Sequence, residues 1–302
     1  ERADYAKEIL GIADAWEYTR GSSEVVVAVI DTGVDYTHPD LVDNMWVNER
    51  ARAGSFGVDD DGNGYVDDVY GYDFNSNRPN AFDDNKHGTH CAGIIGASQN
   101  GFGTYGVSPK VRIMPVKFLS ATGSGSTDAA IRSVNYAVDN GAQVLSLSWG
   151  GGWRSELLNQ ALQRAVQKGV LVVAAAGNEA SDNDSFASYP ANYPNVIAVA
   201  STDEGDALSS FSNYGQTQVQ IAAPGSRIYS TLPGGQYGNL SGTSMATPQV
   251  SGALALALSL DRGLSRVSLE RKLCDTSRKI LLSETVCGRM DVAALIRSVA
   301  QD

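Results

Sequence analysis

The run from Val250 to Leu260 (Val-Ser-Gly-Ala-Leu-Ala-Leu-Ala-Leu-Ser-Leu) is apolar on nearly every face of a helix. A helix without a polar stripe must be surrounded by protein, so this run predicts a helix buried in the centre of a domain. Pro248 falls in its predicted first turn, where a missing N–H costs little. Ser244 then stands at the helix N-terminus, where free N–H groups and the helix dipole favour negative charge. A plain N-cap role for Ser244 is the alternative.

A second apolar segment predicts the sheet against which such a helix packs. Val25–Ile30 is a continuous, mostly β-branched strand that ends at Asp31, which is typical of a parallel sheet covered on both faces. Sites form at the carboxyl edge of such sheets. Strands and helices then alternate with short links: strands at 111–118, 144–148, 170–175, 196–200 and 219–222, and helices at 129–140 and 156–167. The pattern predicts an α/β fold, a three-layer sandwich with a mostly parallel central sheet and helices on both faces.

Length and charge limit the possible classes. The 302 residues are 42% apolar, which suits a single domain spanning residues 1–302. The net charge of −11 argues against nucleic acid and anionic membranes as partners. No stretch approaches the ~18 apolar residues of a membrane span, and no signal peptide is present, so we expect a mature or trimmed chain.

Residues 48–86 form a long acidic excursion, and a loop of this length is usually functional or held by a ligand. Its Asp-x-Asp-x-Asn core with interspersed glycines is similar to the front half of an EF-hand calcium loop, although the final glutamate of that motif is missing. Carboxylates this close repel one another without a cation. A solvated acidic turn is the alternative. The predicted calcium ligands are Glu49, Asp59, Asp61, Asn63, the Tyr65 carbonyl, Asp67 and Asp68.

A histidine-rich segment, His87-Gly-Thr-His-Cys91, predicts the start of a buried helix. Zinc is disfavoured because a third ligand is needed and the only other histidine is His38. Cys91 is expected to be a small buried residue on the same helical face as His87. The two remaining cysteines, Cys274 and Cys287, have the spacing of one possible disulfide bridge.

Three stretches occur in the order Asp31-Thr-Gly33, His87-Gly-Thr-His90 and Gly242-Thr-Ser-Met-Ala246. Together they resemble the subtilisin-like serine proteases, or subtilases, and the resemblance extends over roughly residues 10–260. The Cys that follows the second histidine looks like the thermitase and proteinase K branch of that family. The acidic insertion is similar to that of some bacterial members and of apicomplexan-parasite members.

The resemblance implies a secreted serine endopeptidase that works through an acyl-enzyme intermediate. It assigns the nucleophile to Ser244, the general base and acid to His87, and the orienting carboxylate to Asp31. It also implies that the Asn178 side-chain amide and the Ser244 backbone N–H hold the oxyanion. A turn role after Gly177 is the alternative for Asn178.

Substrate is expected to bind in an extended conformation between two strand edges, 123–125 and 148–150. The predicted substrate-binding residues are Gly123, Ser124, Gly125, Ser148, Trp149, Gly150, Ala175, Ala176, Gly177 and Ser188. These segments carry no acid, which argues against a dibasic preference. Ser188 favours small or polar residues before the cleaved bond.

The resemblance also implies a second calcium site and several partners. The second site combines Asp40 with Asn100 and the carbonyls of Ser98, Phe102 and Thr104, so at least two calcium ions are expected. A further site at Asp73, Asp83 and Asp84 is in doubt, because Ser76 and Arg78 stand where acids would be expected. The family also implies polypeptide substrates, an N-terminal propeptide that inhibits and assists folding, and a monomeric enzyme.

Two other function classes remain as alternatives. One is a catalytically silent, calcium-stabilised binding module on a protease fold, which the intact set Asp31, His87, Asn178 and Ser244 disfavours. The other is an esterase of the α/β-hydrolase type, which needs a Gly-x-Ser-x-Gly elbow. The observed Gly242-Thr-Ser-Met-Ala246 does not fit that elbow.

Overall fold

The structure, a computed structural model, describes residue 2 and residues 4–301. The strands are β1 (Val26–Asp31), β2 (Tyr72–Asp73), β3 (Arg112–Lys117), β4 (Val144–Leu147), β5 (Leu171–Ala175), β6 (Ile197–Thr202), β7 (Ile221–Pro224), β8 (Ile228–Leu232) and β9 (Gln236–Leu240). The first seven form one parallel sheet in the order β2-β3-β1-β4-β5-β6-β7. Strands β8 and β9 pair as a separate antiparallel hairpin.

Helices cover both faces of this sheet, as predicted for the three-layer α/β fold. They are α1 (Tyr5–Leu10), α2 (Ile12–Ala15), α3 (Glu49–Ala53), α4 (His87–Gly96), α5 (Thr127–Asp139), α6 (Glu156–Gln167), α7 (Thr243–Leu260), α8 (Arg266–Asp275) and α9 (Val292–Ala300). Helix α6 has the predicted bounds, and most other elements shift by one to three residues.

Alternate residues of β1 explain how one strand serves two cores. Val27 and Val29 pack on the side of α4, α7 and α9, whereas Ala28 and Ile30 pack on the side of α5 and α6. All four side chains are buried. A strand covered on both faces therefore has to be apolar throughout, which is why β1 lacks the alternation of a half-exposed strand.

Helix α7 is the buried central helix, but it begins earlier than the apolar run suggests. It starts at Thr243, so Pro248 lies in its second turn rather than its first, and the N-cap position is taken by Gly242 rather than Ser244. A proline at position 248 cannot donate the usual hydrogen bond to the carbonyl four residues earlier, which belongs to Ser244. That carbonyl accepts instead from the Ser148 hydroxyl and the Cys91 thiol.

Several elements were not predicted, namely α1, α3, β2 and the β8–β9 hairpin. Helix α1 begins at an Asp4 cap, whose side chain accepts from the Lys7 N–H. The β8–β9 hairpin packs on α4, and its Ser230 and Thr231 hydroxyls donate to α4 carbonyls. Because these contacts join residues about 140 positions apart, no local periodicity reports them.

The C-terminal tail is tied back onto the domain. Cys274 and Cys287 form a disulfide, which confirms the predicted pairing. Arg289 is buried and makes a bidentate pair with Asp206, and its guanidinium also donates to the Ile9 carbonyl of the N-terminal arm. Within residues 2 and 4–301, no helix is both long and apolar enough to cross a membrane.

Candidate active site

Asp31 is the last residue of β1, and its side chain is fully buried. One carboxylate oxygen accepts a 2.7 Å hydrogen bond from the Thr32 N–H. The backbone carbonyl of Asp31 accepts from the N–H groups of Phe118 and Leu119, just beyond the end of β3. These bonds hold the carboxylate at the carboxyl edge of the sheet, where sites form in parallel sheets.

His87 is the first residue of α4, and its imidazole lies against the Asp31 carboxylate. Nδ1 is 2.8 Å from Oδ1 and 3.0 Å from Oδ2. Burial of the imidazole opposes its protonation, but the Asp31 carboxylate outweighs this effect and raises the pKa of His87 well above its usual 6.5. The side chain is 28% exposed, so the ring borders open space despite its buried partner.

The turn before His87 is organised by a buried carboxylate, Asp83, whose role the sequence analysis missed. The main chain at Lys86 has a φ of +143°, a strained value for a residue with a side chain. Asp83 accepts from five donors in the two segments that carry His87 and Asp31: the N–H groups of Asn85, Lys86 and Thr89, and the hydroxyls of Thr89 and Thr32. The sequence placed Asp83 only in a doubtful metal site, because its bond from the Thr32 hydroxyl joins residues 51 positions apart and no local pattern reports it.

Ser244 is the second residue of α7, at the N-terminal end of the buried helix. Its hydroxyl donates to the Ser148 carbonyl at 2.9 Å, and the Ser148 hydroxyl donates to the Ser244 carbonyl at 2.9 Å. This reciprocal pair joins the end of β4 to the start of α7. In this arrangement the Ser244 hydroxyl is directed at the Ser148 carbonyl.

The Cys91 thiol lies between His87 and Ser244. Its sulfur is 3.3 Å from the Ser244 carbonyl oxygen and 4.0 Å from His87 Nδ1. The side chain is buried, and burial raises the pKa of the thiol. Since one sulfur contacts both residues, His87 and Ser244 are neighbours, and Asp31, His87 and Ser244 meet at one edge of the sheet.

Asn178 is oriented by the residue that precedes Ser244. Its Oδ1 accepts from the Thr243 N–H at 2.8 Å and from the Thr243 hydroxyl at 2.9 Å. That hydroxyl also accepts from the Gly177 N–H at 3.3 Å. With the amide oxygen occupied in this way, the Nδ2 donor faces away from Thr243.

The two predicted substrate edges line one cavity of about 400 Å³. Among the described residues, no charged side chain lines this cavity. Phe118, Trp149 and Tyr189 form its aromatic walls. Trp149 packs edge-on against Phe118 and donates its indole N–H to the Ile30 carbonyl. Of the predicted residues, Gly123, Ser124, Gly125, Trp149 and Gly150 border this cavity. A larger cavity of about 510 Å³ lies beside the disulfide and contains none of the catalytic candidates.

The remaining predicted pocket residues lie next to these edges. A methyl group added at Gly150 would stand 3.7 Å from the Ser188 hydroxyl, so Ser188 borders the 148–150 edge. Ala175 ends β5, and the buried Ala176 and the positive-φ Gly177 continue it toward Asn178.

The acidic loop is closed by hydrogen bonds between its own groups. Asp59 accepts from the N–H groups of Gly62, Asn63 and Gly64, and these bonds lower the pKa of its carboxyl. Asp68 is buried and accepts from the side chains of Asn48, Asn63 and Tyr136. Burial raises the pKa of the Asp68 carboxyl.

Each of the other predicted ligands of this loop has a protein partner. Asp61 accepts from the Asn48 amide, Asp67 accepts from the Gly57 N–H, and the Tyr65 ring packs against Tyr136. Glu49 pairs with Arg52 at 2.6 Å on an exposed helix turn instead of folding onto the loop. In the part of the chain that the structure describes, three carboxylate, imidazole or thiol atoms come within 4.8 Å of one another only at Asp31, His87 and Cys91.

Three residues predicted for the second calcium site, Asp40, Asn100 and Thr104, lie close together. The Asp40 carboxylate is fully buried and accepts from the Asn100 amide at 3.0 Å and from the Thr104 N–H at 2.9 Å. The Asp40 carbonyl accepts from the Ser98 N–H, and the Phe102 N–H bonds to Asn100. The three carboxylates of the doubtful third site bind protein groups. Asp73 pairs with Arg78, Asp84 pairs with Lys117, and Asp83 accepts the hydrogen bonds described above.

The two other histidines face the main chain. His38 Nε2 lies 3.0 Å from the Gln236 carbonyl, and its Nδ1 accepts from the Asp40 N–H. His90 Nε2 lies 3.0 Å from the Gly238 carbonyl, and burial lowers the pKa of His90 to about 4. Neither histidine belongs to the group of ligand atoms around His87.

Comparison with known proteins agrees with this geometry. The model of the subtilase family matches residues 22–289. The chain is 43% identical to the thermophilic serine proteinase of Bacillus sp. (strain AK1) over 267 residues, 88% of this chain and 59% of that protein. It is 42% identical to thermitase of Thermoactinomyces vulgaris over 264 residues, 87% of this chain and 85% of that protein.

A solved structure described as a cold adapted subtilisin-like serine proteinase superposes with a TM-score of 0.74 at 37% identity, covering 89% of this chain and 88% of that one. The chain spans only 59% of the AK1 proteinase and 56% of subtilisin E of Bacillus subtilis (strain 168). The family match covers most of the chain, and the Asp31 carboxylate, the His87 imidazole and the residue Ser244 lie close together at one sheet edge. The chain therefore belongs to the subtilase family, the subtilisin-like serine proteases.

Proposed function

We propose that this chain is an endopeptidase that cleaves extended polypeptides through Asp31, His87 and Ser244. The observation that carries the proposal is the 2.8 Å contact between Asp31 and His87 beside a serine at the N-terminus of a buried helix. A serine hydroxyl is a weak nucleophile and needs a base within hydrogen-bond reach. The three residues supply the nucleophile, the base and the group that orients the base.

In the first step, the Ser244 hydroxyl turns from the Ser148 carbonyl toward His87 and attacks the peptide carbonyl. His87 accepts the hydroxyl proton as the bond from Ser244 to carbon forms, and Asp31 stabilises the resulting imidazolium. His87 then gives this proton to the leaving amine as the C–N bond breaks. A water molecule, deprotonated by the same imidazole, hydrolyses the acyl-serine ester.

The negative oxygen that forms during each attack needs donors. We assign this role to Asn178 Nδ2 and the Ser244 backbone N–H. The support is the double hydrogen bond from Thr243 to Asn178 Oδ1, which fixes the amide with its donor end free for substrate. The N-terminus of α7 adds the positive end of a helix dipole.

Substrate would pair with main-chain groups of the edges 123–125 and 148–150, which border one cavity. A methyl group at Gly125 would lie 2.5 Å from the Phe118 carbonyl, so only glycine fits there without displacing the strand end. The uncharged lining of the cavity disfavours lysine and arginine side chains. With Ser188 near Gly150, we propose small or polar residues before the cleaved bond.

Labelling with a sulfonyl fluoride tests the proposal against a silent binding module. An active enzyme hydrolyses casein, is modified once at Ser244 by peptide mapping, and loses hydrolysis in Ser244→Ala. A protein that neither hydrolyses casein nor reacts at Ser244, although correctly folded, is a binding module. Profiling the active enzyme with a peptide library then tests the side-chain preference, and dominance of lysine or arginine contradicts it.

We further propose that the chain binds at least two calcium ions. The first site uses the acidic loop, with Asp59, Asp61, Asn63, Asp67 and Asp68, and the second uses Asp40, Asn100 and carbonyls of 98–104. The support is chemical: both places concentrate carboxylate, amide and carbonyl oxygens, the ligands that calcium prefers. Glu49 is left out of the first site, because its carboxylate pairs with Arg52.

The remaining biological assignments rest on the family. We propose that residues 1–302 form one catalytic domain, that the enzyme acts outside the cell or in the secretory pathway, and that it is monomeric. An N-terminal propeptide would assist folding and inhibit the enzyme until removed. Size-exclusion chromatography tests the monomer, and expression with and without upstream sequence tests the propeptide.

A further inference from the structure

The ammonium group of Lys117 is buried close to the active site. Lys117 ends β3, directly opposite Asp31 in the strand register, and its side chain is 1% exposed. Nζ donates to the Thr32 carbonyl at 2.6 Å, to the Leu119 carbonyl at 2.6 Å and to Asp84 Oδ1 at 2.8 Å. All three donors of the ammonium are therefore used.

Each acceptor belongs to a different part of the site. Thr32 follows Asp31 and donates its N–H to the Asp31 carboxylate. Asp84 lies three residues before His87, on the turn that Asp83 organises. Leu119 leads from β3 into the 123–125 substrate edge. One side chain thus connects the segment of the Asp31 carboxylate, the segment of the His87 imidazole and the proposed substrate edge 123–125.

Strand pairing alone already holds Asp31 opposite position 117. An apolar residue would suffice to fill the space, and a buried ammonium is costly unless its partners compensate. Asp84, its one ionic partner among the described residues, is 47% exposed, so solvent weakens that pair. Packing alone therefore gives no reason for a lysine at position 117, whereas the alignment of three segments by its ammonium group does.

We propose that Lys117 is a positioning residue for peptide hydrolysis: its ammonium sets the relative position of the Asp31 and His87 segments. The proposal rests on the proposed endopeptidase function. Displacements of about 1 Å by residues outside the chemistry can lower rates about 100-fold. Lys117→Met, which keeps the length of the apolar stem, is expected to lower kcat by about 10–100-fold and to change KM by less than about threefold.

The measurement normalises kcat to folded protein by near-UV circular dichroism, so that loss of stability is not counted as loss of catalysis. Proton NMR of the downfield His87 Nδ1–H···Asp31 resonance reports the carboxylate–imidazole geometry directly. We expect the resonance to shift or broaden in Lys117→Met. Lys117→Arg, which retains the charge, is expected to recover part of kcat.

Two further variants keep the test decisive. Asp84→Asn removes the ionic partner at the surface without disturbing the core, and is expected to lower kcat by about 3–10-fold, the same direction as Lys117→Met but smaller. Lys168→Met is the matched control, because Lys168 pairs with Asp139 at 3.6 Å on the exposed surface beyond α6. It should leave kcat, KM and the NMR resonance unchanged.

The proposal is overturned if folded Lys117→Met retains wild-type kcat and an unshifted resonance while only its melting temperature falls. If Lys117→Met does not fold, an unchanged kcat in Asp84→Asn overturns it instead. A wild-type protein without peptidase activity refutes the proposed function, whereas the NMR comparison still tests the alignment of Asp31 and His87.

Discussion

Thr243 holds the Asn178 amide by two hydrogen bonds, one from its backbone N–H and one from its hydroxyl. The residue that precedes the candidate nucleophile thus orients the candidate oxyanion donor. The two residues are 65 positions apart in the chain and meet because β5 ends and α7 begins at the same edge of the sheet.

We therefore predict that Asn178→Ala lowers kcat by about 100–1,000-fold with little change in KM. This magnitude is the one known for the corresponding asparagine of subtilisin, not one calculated from this structure. Thr243→Val removes the hydroxyl's bonds to Asn178 and Gly177 but keeps the bond from the Thr243 N–H, and should cost much less, about 3–10-fold. Steady-state kinetics on a peptide anilide measure both. Equal losses in the two variants would contradict the orientation role of Thr243.

The raised pKa of His87 predicts an alkaline enzyme. The imidazole must be neutral to accept the serine proton, so kcat/KM falls as pH falls through the pKa of His87, which the Asp31 carboxylate raises above 6.5. Asp31→Asn removes that charge, so the acid limb of the profile should move to lower pH. The same change should lower kcat by about 10⁴-fold, because the tautomer is no longer held. An acid limb that stays in place or moves upward would show that Asp31 does not set the pKa.

Removing calcium should lower the melting temperature. A ligand at 100 times its Kd stabilises the folded state by about 2.7 kcal/mol, and 1 kcal/mol shifts the Tm of a large domain by roughly 2–4 °C. We expect excess chelator to lower Tm by roughly 5–10 °C in calorimetry, and calcium but not magnesium to restore it. Asp61→Asn should reduce this sensitivity. Asp128→Asn, on the exposed face of α5, is the control. An unchanged Tm in chelator is the contrary result.

A mercurial should inhibit through Cys91, the only free cysteine. Its sulfur contacts His87 Nδ1 and the Ser244 carbonyl, so a bulky adduct there displaces both. The expected outcome is loss of activity in the wild type, recovery with excess thiol, and resistance of Cys91→Ala. Inhibition of Cys91→Ala to the same extent would place the reactive group elsewhere.

The disulfide should contribute to stability. It closes a loop of sequence separation 13, worth about 3 kcal/mol in the chain-entropy model. We expect the double variant Cys274→Ser, Cys287→Ser to unfold at a lower urea midpoint, with a slope equal to or slightly steeper than that of the wild type because its unfolded chain is less compact. Its kcat, measured well below the unfolding transition, should equal that of the wild type. A midpoint equal to that of the wild type would show that the bridge does not constrain the unfolded chain.

Several features follow from local sequence. The apolar segment before Asp31 forms a parallel strand, the run to Leu260 forms the buried helix, and the three short motifs converge as the family resemblance implies. These features were predictable because apolar periodicity and short motifs are properties of neighbouring residues.

Other features were settled only by tertiary structure. Helix α7 begins at Thr243, and Pro248 has no N–H to donate to the Ser244 carbonyl. That carbonyl therefore accepts from Ser148 and Cys91. The β8–β9 hairpin and the exposed position of Glu49 on Arg52 likewise differ from what the sequence suggested. The contacts of the Ser244 carbonyl and of the hairpin with α4 come from distant segments, whereas Glu49 pairs with Arg52 three positions away on α3.

The sequence by itself thus determined the sheet, the central helix and the identity of the reacting side chains. The tertiary structure decided how those side chains are held: Thr243 on Asn178, Asp83 on the threonine next to Asp31, and Lys117 across three segments. The physical reason is that a hydrogen bond depends on distance and direction in space. Residue order reveals these only for partners a few positions apart.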